Sequence, residues 1–535
     1  MNPDPKAASR MEKTVYFLAD DKLEGRDMNS AGEKLAAKYL AKKFKKSGLK
    51  GVGEEGSFWV EFETSEIIRG KNNALSSSGK MLEQGNDFFP MDISSNGRLE
   101  NVATVNVGFG ITAPEKNYDD YANAGELTGK IAIINFSSPD GIHPHSQYAK
   151  YHDIQLRAEL AKEKGAVGII VFNSDRNLRN PGQNFKNLRP VGIPVVFVSD
   201  AQHKWLESQP VITLLSVDLE KKISKVPNVA GYWDNGAEKT VVIGAHYDHL
   251  GYGGEGSLHA GEKGIHNGAD DNASGTAGLV ELARFLPVSD LVNNNYLFIA
   301  FTGEEKGLLG SKAFMENSPV PAEKINYMIN MDMIGRLNEN KTLVINGVGT
   351  SPAWKPAIES LSCYDLKIST TESGIGPSDH TSFYLKDIPV LHFFSGTHSD
   401  YHKPSDDANK VNYSGMADIV SYIESLISEL DSEGELAFTK TKEENNQNAP
   451  RFTVTMGIMP DYTFDGEGLK IDGVSEGKPA QKAGIQAGDI VLKLGEYPIR
   501  DMQSYMQALS IFKRGEKTSV ILLREGKELE LDLEF

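Results

Sequence analysis

Four apolar runs along the chain each lead into acidic or imidazole side chains. Tyr296-Leu-Phe-Ile-Ala-Phe passes through Thr302-Gly303 into Glu304-Glu305. Val241-Val-Ile-Gly-Ala ends at His246-Tyr247-Asp248-His249, and Tyr327-Met-Ile-Asn-Met ends at Asp332. Ile388-Pro-Val-Leu-His-Phe-Phe precedes a loop with His398, Asp400 and His402. Unbroken apolar runs of this length predict strands buried on both faces, as in a parallel sheet covered by helices. In open α/β sheets the site lies beyond the carboxyl ends of the strands. Two adjacent carboxylates there need cations or protons to neutralise them. Imidazoles arriving at the same place point to a metal site.

Helical spacing recurs between these runs. From Glu33 to Phe44 the apolar positions Leu35, Tyr39, Leu40 and Phe44 predict a helix with a basic outer face, stopped at Gly48. A second helix is expected from Ser274 to Leu286, with Ala277, Val280, Ala283 and Phe285 inward and Pro287 as its end. Between residues 101 and 225 the texture changes to short β-rich runs with one helix near Leu156 to Lys164, which reads as an inserted domain. The stretch 433–450 is polar and acidic, with Asn445-Asn-Gln-Asn near its end, and reads as a linker. The expected organisation is therefore an α/β domain in two pieces, 1–100 and 226–432, with an insert at 101–225, a linker at 433–450 and a small domain at 451–535.

Length and charge narrow the class. A chain of 535 residues is too long for one core. Its formal charge of -18 argues against nucleic acid as the main partner. No apolar run reaches the roughly 18 residues of a membrane span. The opening Met1-Asn-Pro-Asp-Pro-Lys has no apolar signal core, so the chain is expected either to be cytoplasmic or to have lost a signal. The one cysteine, Cys363, cannot form an internal disulfide and is expected to be a buried small residue.

Each candidate ligand has a plain structural reading when taken alone. Asp270, Asp271 and Asn272 could cap the helix that follows them. Glu304-Glu305 could sit at a helix N-terminus, and Asp332 could cap a turn. His402 alone reads as a surface histidine. Asp248, two residues past His246, could hold the second ring nitrogen of a metal-bound imidazole. Their convergence at strand ends outweighs the single readings.

Taken in order, Gly244-Ala-His246-Tyr-Asp248-His249-Leu-Gly, Asn267-Gly-Ala-Asp270-Asp271-Asn-Ala-Ser-Gly, Thr302-Gly-Glu304-Glu305-Lys-Gly, Asn330-Met-Asp332-Met-Ile-Gly and Tyr401-His402-Lys-Pro-Ser-Asp resemble the two-zinc aminopeptidase family. That family also includes glutamate carboxypeptidases and the non-catalytic transferrin receptor. The segment Leu18-Ala-Asp-Asp-Lys-Leu-Glu-Gly-Arg26 is similar to the family's opening. The resemblance implies a mostly parallel mixed sheet flanked by helices. It implies two Zn2+ ions bridged by Asp270, with a cis peptide to Asp271. His246 and Asp332 would complete one site, Glu305 and His402 the other. Asp248 would orient His246, and Glu304 would be the general base. The implied activity is removal of N-terminal residues from peptides in the periplasm or outside the cell. A carboxypeptidase or dipeptidase would use the same metals and base, and a receptor would keep the fold without activity. His266 would touch the site rim or simply belong to its loop. Asp379 and His380 would lie near the substrate or form a turn and helix cap.

Two further resemblances concern the flanking domains. Tyr118-Asp-Asp-Tyr, Leu127-Thr-Gly-Lys-Ile-Ala-Ile-Ile and Ala161-Lys-Glu-Lys-Gly-Ala-Val-Gly are similar to a protease-associated domain, which either restricts access to the site or only packs. Gly468-Leu-Lys-Ile-Asp-Gly-Val and Lys478-Pro-Ala-Gln-Lys-Ala-Gly-Ile-Gln-Ala-Gly-Asp489 resemble a PDZ domain. There Met456-Gly457-Ile458-Met459 would match the loop that captures a protein C-terminus. The domain binds such a peptide or only packs against its neighbour.

Overall fold

The four apolar runs become adjacent strands. The computed structural model describes residues 4–535 except 123, 143–145, 176–177, 179, 182–189, 254–255, 260–262, 442–453, 461–465, 475–477, 501, 510 and 513–514. Asn295–Phe301, Thr240–His246, Ile325–Met331 and Val390–Phe394 lie side by side and parallel. All residues of the first three strands are buried. Successive side chains point to opposite faces, so each run feeds two cores at once. Val241, Ile243, Phe298 and Ile329 pack against Val15, Leu40, Phe44 and Ile423 of the helices Ala7–Leu18, Ala31–Lys46 and Tyr413–Leu430. Val242, Leu297, Phe301 and Met328 pack on the other face against Phe314 and Phe383. Antiparallel strands Leu219–Trp233 and Thr342–Asn346 extend the two edges.

The helix Ala31–Lys46 departs from its expected inner face. Leu35 is 47% exposed, and the buried side carries Ala36, Ala37, Leu40 and Phe44. The large hydrophobe lost because Glu33 claims the inward position at the first turn. The Glu33 amide donates to Ser30 Oγ at 3.0 Å, and the Asn29 amide donates back to its carboxylate at 2.6 Å. This reciprocal N-terminal box fixes the rotation of the helix. Thr302 donates to the same carboxylate from the Glu304 loop. Burial pushes the Glu33 carboxyl up to about 7. Cys363 is exposed rather than buried, in the turn after the helix Trp354–Ser360.

The chain divides into two units, one built mainly of residues 65–223 and the other of 1–64 with 224 onward. The smaller unit holds an eight-stranded mixed sheet, and Ala74–Ser77, Lys80–Met81 and Phe88–Pro90 belong to it. The compact unit that contains the expected insert thus begins near residue 65, ahead of residue 101. Its first strands are only two to four residues long, so their pairing with Val211–Val217 and Val195–Val198 was invisible to local pattern.

The C-terminal strands Ile458–Pro460, Leu469–Val474, Ile490–Leu494, Lys517–Arg524 and Lys527–Glu534 pair antiparallel in that order. They enclose their own core of Met456, Ile471, Val491, Leu494, Val520 and Leu522. Buried Asp489 receives two bonds of 2.7 Å from Arg524. The start of the expected linker is anchored. Leu436 N–H donates to Asn326 Oδ1, Thr439 N–H to Thr350 O, and Thr441 N–H to Tyr384 Oη, at 2.8–2.9 Å. Residues 442–450 lie outside the described residues.

Phe298→Ala should test the weight of the central sheet. Phe298 is fully buried, and the deletion is expected to cost about 3–5 kcal/mol, read as a lowered denaturant midpoint.

Candidate metal centre

Three loops and one helix start deliver polar side chains to the carboxyl ends of the parallel strands. His246 is the last residue of its strand, and Asp332 follows the strand Ile325–Met331 directly. Glu304 and Glu305 follow Gly303, whose φ of +72° turns the chain sharply after the strand Asn295–Phe301. Asp271 precedes the helix Gly275–Phe285.

Asp271 stands between two groups. Its Oδ1 is 3.4 Å from His246 Nε2, which is also 3.3 Å from Asp332 Oδ1. Its Oδ2 is 3.2 Å from His402 Nε2, which is 3.4 Å from Glu305 Oε2. Ligand atoms around a tetrahedral ion with bonds of about 2.0–2.2 Å stand about 3.3–3.6 Å apart. A direct N–H···O bond would close to about 2.9 Å. Three of the four spacings match the first case and the fourth, at 3.2 Å, falls just short of it, so the donor set fits two ions sharing Asp271.

The ring tautomers agree. His402 Nδ1 faces the Gly256 carbonyl at 2.8 Å and must donate, leaving Nε2 as the free lone pair. His246 Nδ1 faces the Asp248 carbonyl at 3.3 Å and its carboxylate at 3.6 Å. Asp248 thus holds the ring from behind, and it also accepts the Glu304 amide at 3.3 Å. Glu304 Oε2 is 3.9 Å from His246 Nε2. Glu304, Asp332 and His402 keep 11%, 13% and 16% of their side-chain surface open, so the mouth of the site lies among them.

The expectation that Asp270 bridges the ions is corrected. Asp270 Oδ1 accepts from the Gly335 amide at 2.6 Å and from Ser274 Oγ at 2.9 Å, and Oδ2 faces His398 Nε2 at 3.2 Å. The backbone at Asp271 and Asn272 is non-helical, which turns the Asp271 side chain away from that of Asp270. Asp270, Asn272 and Ser274 all bind the loop 331–335, while Asp271 points the other way. The cis peptide joins Asp271 to Asn272, one residue later than expected. Of the other expected residues, His246, Glu304, Glu305, Asp332, Asp248 and His402 all converge here.

Sequence reasoning missed His249. Its Nδ1 is 2.7 Å from Glu305 Oε1, a hydrogen bond that aims the other Glu305 oxygen at His402. His249, Asp271 and Glu305 also form a group able to hold an ion; the 2.7 Å spacing favours the hydrogen bond. The signal available in sequence was its place, three residues past His246 in the same loop. His266 is buried, bonded to Ser257 Oγ at 2.7 Å and the Gly264 carbonyl at 3.0 Å, and it braces its loop. Asp379 and His380 are both fully buried, so neither faces a peptide arriving from solvent. Burial raises Asp379 to about 7, against the pull of His246, and His380 stacks on His392.

Protonation follows from the crowding. Burial raises Glu304 and Glu305 well above the ordinary carboxylate range, with Asp332 adding to the first and Asp271 to the second. Burial opposes charge on His246, but Asp332 and Glu304 outweigh it and raise its pKa. Burial also opposes charge on His402, but Asp271 and Glu305 hold it at about 9.

Comparison with known proteins places these residues in a family. Residues 228–427 match the model of peptidase family M28. That stretch holds every residue around Asp271 described above. Residues 100–206 match a PA domain and 439–535 a PDZ domain. Aminopeptidase YwaD of Bacillus subtilis is 28% identical over 323 residues, covering 57% of this chain and 63% of that protein. A probable lipoprotein aminopeptidase, LpqL of Mycobacterium tuberculosis, is 28% identical over 285 residues, covering 50% and 52%. The matches thus span about half to under two thirds of these relatives' length. A solved zinc aminopeptidase from Bacillus subtilis, BSAP, aligns at 22% identity and a TM-score of 0.46, over 80% of this chain and 95% of that one.

Two outcomes test the M28 site. Asp271→Asn should abolish uptake of both ions, while Asp270→Asn should keep both and lose about 1–3 kcal/mol of stability; metal analysis and denaturation read the two. His402 is protonated below about 9 without an ion, and an ion binds only the neutral ring. Affinity should therefore rise with pH up to about 9, and binding near pH 7 should release protons, measured by calorimetry in buffers of different ionisation enthalpy.

Proposed function

We propose that the chain is a two-zinc aminopeptidase acting on the N-terminal bond of peptides. The observation that carries this reading is the set of 3.2–3.4 Å spacings around the two oxygens of Asp271, with Glu304 beside them. His246, Asp332 and one Asp271 oxygen would hold one ion; Glu305, His402 and the other oxygen would hold the second. Mixed imidazole and carboxylate donors suit zinc. When bound, such an ion pair supplies Lewis-acid chemistry, making water acidic near neutral pH and polarising a carbonyl.

The protein's own groups do the rest. Glu304 takes a proton from the attacking water and returns it to the departing amine. Asp248 fixes the Glu304 backbone and the His246 ring together, so base and ligand keep one spacing. The printed names of YwaD, LpqL and BSAP as aminopeptidases support the same reading. A location in the periplasm or outside the cell belongs to the proposal and rests on the family resemblance; fractionation of the native host tests it. Peptide binding by the C-terminal domain is likewise proposed, from its match to a PDZ domain.

A panel of aminoacyl chromogenic amides, each paired with its N-acetyl form, tests the activity. Only free-amine substrates should be cleaved, and a chelator should stop the reaction. Glu304→Gln should lower kcat by about 10²–10⁴-fold with its metal content intact. Equal cleavage of acetylated substrates, or release only of C-terminal residues from peptides, would replace the aminopeptidase by an endo- or carboxypeptidase.

A further inference from the structure

Arg26 is among the largest fully buried side chains of the protein. Its guanidinium makes no ion pair with a carboxylate among the described residues. Nε donates to the Tyr247 carbonyl at 2.7 Å, Nη1 to Asn267 O at 2.7 Å and to Leu18 O, and Nη2 to Gly268 O at 3.0 Å. Tyr247 lies between His246 and Asp248; Asn267 and Gly268 lead into Asp270 and Asp271. One side chain thus ties the loop of one proposed ligand to the loop of the shared ligand, and both to the end of the helix Ala7–Leu18.

The backbone around Arg26 is shaped for this reach. Glu24, Gly25 and Arg26 all have positive φ, at 48°, 69° and 52°. A Cβ on Gly25 would stand 2.4 Å from His266 O and 2.6 Å from Gly251 O, so only glycine fits between those loops. The Gly251 amide donates to Gly25 O at 3.0 Å and the His249 amide to Arg26 O at 3.3 Å. A buried guanidinium costs several kcal/mol in desolvation, and carbonyl dipoles alone repay it only with many well-placed bonds. Asp248, Asp271, Asp406 and Glu305 attract it from a distance, and although burial lowers its pKa to about 10, it stays charged at neutral pH.

We propose that Arg26 is a positioning residue for the metal centre. It sets the spacing between the His246 and Asp271 loops and places a fixed positive charge behind the carboxylates. The proposal rests on the reading of these residues as metal ligands. Arg157 supplies the control. It is a second buried guanidinium, bonded to the carbonyls of Phe109, Asn135, Phe136, Ser137 and His152 in the residue 65–223 unit.

The test uses the full chain, stripped of metal and titrated with Zn2+ against a chromophoric chelator, and with Co2+ for its d–d spectrum. Arg26→Lys keeps charge with fewer fixed donors, and Arg26→Gln keeps donors without charge. Both should bind the ions about 10–100-fold more weakly, the usual effect of losing a group behind a ligand, and shift the cobalt spectrum. Arg157→Lys should lose stability while keeping affinity and spectrum. A folded Arg26 variant with unchanged affinity and spectrum would overturn the proposal alone. Failure of the unmodified protein to take up any ion would remove the metal reading and the proposal together. If neither Arg26 variant folds, hydrogen exchange on the unmodified protein decides: residues 247–251 and 266–270 should open as one unit, and independent opening would overturn the proposal.

Discussion

Asp248, Asp271, Glu304, Glu305 and Asp332 meet where four parallel strands end above Phe298, Phe301 and Ile329. Carboxylates in such a place repel one another and lack the water that would screen them. Their pKa values divide accordingly. Asp271 is pushed up by burial but held well below its ordinary value by His249, His246 and His402, so it keeps its charge. Glu304 and Glu305 go the other way. Divalent cations held by these groups would balance the charge, and clustered His and carboxylate donors are what such a place offers them.

Two histidines three residues apart show how local this balance is. His246 faces Asp332, Glu304, Asp248 and Asp271, and its pKa rises. His249 is equally buried, and burial lowers its pKa to about 4, with Arg26 and His402 adding to the fall against the pull of Asp271 and Asp406. A neutral His249 can then donate Nδ1–H to Glu305 and aim that carboxylate at the second ion position. The division of labour comes from which charges each ring faces, not from depth.

The support around the site is mostly hydrogen-bonded backbone. Asp406 accepts the amides of Asp270 and Asp271 at 2.9 and 3.1 Å and pairs with Arg336 at 3.2 Å. Asp270, Asn272 and Ser274 fasten the loop after Asp332. These bonds satisfy backbone groups of the loops that carry the ligands, which lets irregular backbone lie deep in the molecule, while Asp248 Oδ2, His249 Nε2 and His398 Nδ1 are buried without a hydrogen-bond partner among the described residues. The PA and PDZ domains have separate cores.

Sequence alone determined the strands, their polar ends and the kinds of ligand, because buried parallel strands write long apolar runs and metal ligands have few chemical types. His246, Glu304, Glu305, Asp332 and His402 were legible for that reason. Tertiary structure decided between Asp270 and Asp271, which are chemically identical neighbours distinguished only by backbone direction. It also decided that Leu35 faces out, because Glu33 takes the inward position, and that strands 74–90 join the insert, because their partners lie more than a hundred residues away. Arg26 lay in a motif whose order was readable, but its role depends on carbonyls brought from residues 18, 247, 267 and 268. Pattern along a chain records which surface is buried; which atoms then meet is fixed only when distant segments fold against one another.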